Sequence, residues 1–120
     1  MSADVLRFLL LVGITLVSGL GDAQGFIHAA RMWQDGRIVW RELLASALGF
    51  WVGIGSYWIS VRYLVRVGVL SPEVQTLIWF GVTILGVAIV NGRFLGWRPI
   101  DQVVAAGVLS GLGWLVLRTA

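Results

Sequence analysis

The chain has 120 residues, of which 58% are hydrophobic and 12% charged, and a formal net charge of +3; an ordinary soluble domain carries roughly 25% charged residues, and so short a chain cannot hide this much apolar surface in a water-soluble core. With no cysteine, disulfides, thiolate metal sites and thiol nucleophiles are excluded. All nine cations are arginines standing singly among apolar residues, never in a basic stripe, so the expected partner is the lipid bilayer and not nucleic acid.

Four long apolar runs predict four membrane-spanning helices in one domain covering residues 1–120, at about residues 5–28, 43–61, 74–91 and 102–117. At 1.5 Å per residue such runs cross, or nearly cross, a hydrocarbon layer of about 30 Å. Lipid offers the backbone no hydrogen-bond partners and four spans cannot close a β-barrel, so the expected fold class is an all-α four-transmembrane-helix bundle. A cell membrane, the inner one where there are two, is the expected location.

The first run contains Thr15, Ser18, Asp22 and Gly25, spaced to share one helical face. Taking Arg7 and Arg31 as its ends puts the middle near Gly19 and Asp22 about one turn toward the first loop, within the hydrocarbon. An aspartate near a bilayer centre costs about 2.5–3.5 kcal/mol on insertion scales, so this face should meet a cavity or another helix. Two readings stay open: a polar lining for a substrate or proton path, and structural glue between helices. Gly-Asp-Ala before Gln24 resembles a signal-peptide cleavage site, but Arg7 is offset by Asp4, so the run is read as a retained span. His28, the only histidine, has no second metal-binding side chain at helical spacing and reads as an interfacial polar residue; neither a metal site nor a cofactor is expected.

The first loop, "RMWQDGRIVWRE", contains Trp33 and Trp40. In the second run Ser46, Gly49, Gly53, Ser56 and Ser60 share a face, and Gly49 and Gly53 form a small-xxx-small pair that lets helix backbones approach. Gly21 and Gly25 of the first run, and Gly107 and Gly111 of the fourth, repeat that spacing, which predicts docking seams on three helices. Trp51, Trp58, Trp79 and Trp114 lie inside the runs; they suit either the wall of a cavity for a flat apolar or cationic ligand or plain core packing. Pro72 and Pro99 mark helix starts, with Ser71 and Asp101 near the caps. Trp97 in the third loop would join Trp33 and Trp40 in an interfacial belt at one side of the bilayer. Arg7, Arg62, Arg66 and Arg118 fall at one side and Arg31, Arg37, Arg41, Arg93 and Arg98 at the other, so the positive-inside rule selects no orientation. No nucleophile elbow, phosphate loop or metal-ligand cluster occurs, so no catalytic residue is assigned and an enzyme is not expected.

"GVLSPEVQTLIWFGVTILGVAIVNGRFLGWRPIDQVVAAGVLSGLGWLVL", residues 68–117, resembles the third and fourth helices of the small multidrug resistance family within the drug/metabolite transporter superfamily. "SYW" at 56–58 resembles the family's second helix, while the first helix matches loosely. The resemblance implies a four-helix protomer working as a dimer, often with inverted copies, and a substrate chamber between the first three helices. Trp79 matches a family tryptophan; Ser18 stands where proton-coupled members carry a glutamate, and Thr76 where drug exporters carry a tyrosine. Gly96, Trp97 and Arg98 replace a frequent Gly-Glu-Arg. The departures turn the expectation from proton-coupled drug export to a transporter or lipid-linked-sugar flippase component, as a homodimer or paired with a similar four-helix chain. Thr15, Ser18, Asp22, Trp58, Thr76 and Trp79 are the expected path. The competing expectation is a non-transporting structural subunit of a larger membrane complex.

Overall fold

Serine hydroxyls open two of the four long helices. In the computed structural model, which describes residues 2–119, Ser2 Oγ accepts the Val5 amide at 3.3 Å and starts α1 (Ala3–Ala29). Ser71 Oγ likewise accepts the Val74 amide at 3.3 Å, and with Pro72 at the first position it starts α3 (Pro72–Asn91). Gly92, at φ +69°, ends α3 in the left-handed conformation that glycine adopts without a Cβ penalty. A 3-10 turn (Arg93–Gly96) leads into α4 (Pro99–Thr119). Gln102 Nε2 pins that turn by donating to the Phe94 and Leu95 carbonyls at 3.0 and 3.1 Å.

The remaining helix, α2 (Trp40–Arg66), is longer than its apolar run. Hydropathy marks where lipid contact should stop, whereas the backbone ladder continues through Arg41 and Glu42 at one end and Arg62 and Arg66 at the other. The first loop is not irregular: β1 (Trp33–Gln34) and β2 (Arg37–Ile38) form a two-stranded antiparallel hairpin. Asp35 and Gly36, at φ +50° and +74°, make its turn, the conformation that Asp-Gly favours between paired strands.

The fold is all-α apart from this hairpin, and all four helices are long and apolar enough to cross a membrane. The protein is thus a small multi-pass integral membrane protein. α1 lies at the centre, packed on α2 and α3, which scarcely touch one another. α4 packs on α3 and, among the described residues, buries none of its own.

The α1–α2 seam is built from backbone against backbone. A Cβ on Gly21 would stand 2.7 Å from Gly53 N, and one on Gly49 would stand 2.7 Å from Gly25 N. Two serines stitch the seam: Ser18 Oγ donates to the Gly53 carbonyl at 2.8 Å, and Ser46 Oγ to the Gly25 carbonyl at 2.7 Å. On the other side of α1, Gly19 and Gly86 let α3 approach, with a Gly19 Cβ only 2.8 Å from Val82 O. Close packing and interhelical hydrogen bonds replace the hydrophobic drive that lipid removes. Gly107 and Gly111 dock on nothing among the described residues: an added Cβ at either meets no atom within 4 Å. Their spacing permits a close approach but supplies no facing helix, and the helix that α4 packs on is α3.

Candidate functional site

The face of α1 that carries Thr15, Ser18, Asp22 and Gly25 turns inward between α2 and α3. Asp22 has 0% of its surface exposed. Its Oδ2 accepts the indole N–H of Trp79 from α3, while Oδ1 has no hydrogen-bond partner and abuts Gly53 of α2, where a Cβ would drive into the carboxyl group. Gly53 therefore serves twice: it lets α1 and α2 approach, and it leaves the room in which the Asp22 side chain lies.

Beside this carboxyl group, where α2 and α3 diverge, is a small cavity of ≈ 10 Å³, the space of about one water. Thr15 and Ser18 of α1, Tyr57 and Ser60 of α2, and Gln75 and Trp79 of α3 supply its polar and aromatic lining. Three of the hydroxyl protons are already committed to backbone carbonyls: Thr15 to Leu11 at 2.7 Å, Ser18 to Gly53 at 2.8 Å and Ser60 to Tyr57 at 2.7 Å. Gln75 Nε2 donates to the Val69 carbonyl at 3.0 Å. The three hydroxyls therefore offer only lone pairs, while among the described residues the Tyr57 O–H and the second N–H of Gln75 are not committed, so the cavity can pair with both donors and acceptors. Asp22 does not itself line the cavity. Trp79 is shared by both, lining the cavity and donating its N–H to the Asp22 carboxyl group, with Tyr57 5.9 Å and Phe80 4.9 Å away between ring centroids.

The structure thus brings Thr15, Ser18, Asp22 and Trp79 together and leaves Trp58 and Thr76 apart from them. Trp58 is 71% exposed. One residue is about 100° around a helix, and it is the preceding Tyr57 that reaches the cavity. Thr76 is exposed and donates its hydroxyl to the Pro72 carbonyl of its own helix at 2.7 Å; Gln75, just before it, faces inward. Tyr57, Ser60 and Gln75 were therefore legible from the same faces that carry Gly53 and Trp79. One pair had no sequence signal at all: His28 Nδ1 and Glu42 Oε2, 2.5 Å apart, tie the end of α1 to the start of α2 across the hairpin.

Thr83 is a second buried oddity, 3% exposed with no partner for its hydroxyl. Among the described residues no group of three or more His, Cys, Asp or Glu side chains could hold a metal ion. No protein-family model, curated protein or solved structure matches this chain.

Proposed function

We infer that the protein is one protomer of a small membrane transporter of the drug/metabolite transporter type, in which the cavity between α1, α2 and α3 and Asp22 form the path. One observation carries this reading. A carboxyl group lies inside a membrane bundle with one oxygen unpartnered, and the side chain that donates to its other oxygen, Trp79, also lines a small cavity edged by hydroxyl and amide groups. Polar and ionisable groups at such depth are costly, and those that persist mark substrate and ion pathways. Rotation of Trp79 would join the cavity to Asp22 and enlarge a space that now holds about one water. The lining keeps both acceptors and donors, and a hydroxyl-rich sugar headgroup offers both in return. With Ser18 in place of a membrane glutamate, lipid-linked-sugar flipping is the branch of the class that the residues favour over proton-coupled drug export.

The exposed α4 gives the protomer a surface for a second copy, parallel or inverted, or for a similar four-helix chain. It also supports one rival reading, a structural subunit docked by α4 in a larger complex. Reconstitution into liposomes tests the first reading. Transbilayer movement of a labelled lipid-linked sugar, or uptake of an organic cation, is expected in the unaltered protein and is expected to fall at least tenfold, about 1.4 kcal/mol, in Asp22→Asn. Unchanged movement in that variant removes Asp22 from the path. Absence of movement of either solute, together with co-purification of unrelated subunits in mild detergent, selects the structural reading.

A further inference from the structure

The α3–α4 pair borders a larger space than the one around Asp22. A groove of ≈ 620 Å³ runs between them, with Phe26 of α1 at its side; sites for small ligands measure about 300–1,000 Å³. Its polarity is graded. Asn91, Arg93 and Gln102 cluster where α3 turns into α4, beside Trp97, and the remaining lining, Thr83 apart, is apolar from Ile84 and Val87 to Leu109. Gln102 already spends its amide N–H groups on the turn, which fixes the loop carrying Arg93. Arg93 is exposed, and among the described residues it has no carboxylate within ion-pair distance.

The dimensions narrow the occupant. Asn91 and Phe80, at the two ends of the groove on α3, are eleven residues apart, or ~16 Å along a helix, and half of a ~30 Å hydrocarbon core is ~15 Å. The groove is therefore one leaflet deep, from headgroup level to the midplane. A spanning helix of a partner would call for a groove through both leaflets, and an uncharged apolar solute would have no use for the arginine. A single charge at the interfacial rim above an apolar trough matches an amphiphile with an anionic head.

We propose that the α3–α4 groove holds one anionic phospholipid of the surrounding bilayer, its phosphate against Arg93 and an acyl chain extending toward Phe80. The site stands independently of whether the protein transports anything. The test uses the purified protein in nanodiscs containing equal amounts of phosphatidylglycerol and phosphatidylcholine. Either lipid carries a photoactivatable acyl chain, and labelled residues are located by mass spectrometry. Labelling by phosphatidylglycerol is expected on α3 and α4 along the groove, and Arg93→Gln should reduce it about fivefold, the worth of one arginine near an anionic lipid, with phosphatidylcholine labelling unaltered. Arg93→Lys should preserve it, and Ala105→Phe, which fills the trough, should suppress labelling by both lipids. Should Arg93→Gln not fold, the preference of the unaltered protein for phosphatidylglycerol decides alone. Equal labelling by the two lipids, label spread around all four helices, a second copy crosslinked in the groove, or displacement by inorganic phosphate overturns the proposal.

Discussion

Two side-chain oxygens are buried without a partner among the described residues, Asp22 Oδ1 and Thr83 Oγ1, and they have opposite consequences for substitution. Thr15, Thr76 and Thr119 each return their hydroxyl to the carbonyl four residues back, the usual way to satisfy a threonine inside a helix. Thr83 does not, and a buried hydroxyl without a bond costs about 1–3 kcal/mol. Thr83→Val keeps the shape and removes the unmet group, so thermal unfolding in detergent should show equal or higher stability. The partner of Asp22 is Trp79, and Trp79→Phe takes away the one donor that the carboxyl group has while leaving it enclosed. A loss of about 1–3 kcal/mol is expected there, and a smaller one when the same change is made in an Asp22→Ala background, since the donor is then no longer needed. Equal losses in both backgrounds would show that the ring, and not the hydrogen bond, is what α3 contributes.

Glycine pairs four apart set the α1–α2 seam, whereas α3 approaches α1 through the single glycines Gly19 and Gly86 and the pair on α4 meets nothing among the described residues. Gly21 and Gly49 face backbone at 2.7 Å, so the methyl group of Gly49→Ala has nowhere to go without parting α1 from α2. Overpacking of this kind costs about 1–3 kcal/mol. Gly55, one and a half turns farther along α2, has nothing within 4 Å of its added Cβ, and Gly55→Ala should be neutral or stabilising by up to about 1 kcal/mol through helix propensity. Unfolding of the two variants side by side checks the contrast; equal effects would mean that the seam is looser than its geometry. The same comparison shows what the sequence could convey. Hydropathy fixes four helices because lipid leaves the backbone no other option, and the polar face of α1 is readable because one helical period connects Thr15 to Gly25. Which residue of a neighbouring helix completes that face is not periodic information: Trp79 lies 57 residues from Asp22. Gly107 and Gly111 have the spacing of Gly21 and Gly25, but a seam also needs a facing helix, and nothing in α4 itself specifies one. The Asp35-Gly36 turn was readable as a hairpin, and the arginines around it disguise two strands as a plain connection.

The molecule as a whole is asymmetric in packing and nearly symmetric in charge. α1 buries one face between α2 and α3 while α4 buries no residue among those described. Four arginines, at positions 7, 62, 66 and 118, lie at one end of the helices and five, at positions 31, 37, 41, 93 and 98, at the other. Orientation follows the excess of Lys and Arg in short loops on the cytoplasmic side, and Asp and Glu contribute little. A difference of one arginine supplies almost no bias, so insertion should yield both orientations in comparable amounts, measurable with reporters fused to the C-terminus that are active on one side of the membrane only. Arg37→Gln with Arg98→Gln changes exposed positions outside the helices alone and leaves four arginines against three, which should favour molecules with the Arg7 and Arg118 end in the cytoplasm. An unaltered protein already found in a single orientation, or a ratio that ignores the two substitutions, would show that contacts made after insertion set the topology. In that case a contact made by α4 is the first candidate, because α4 is the helix that buries no residue among those described.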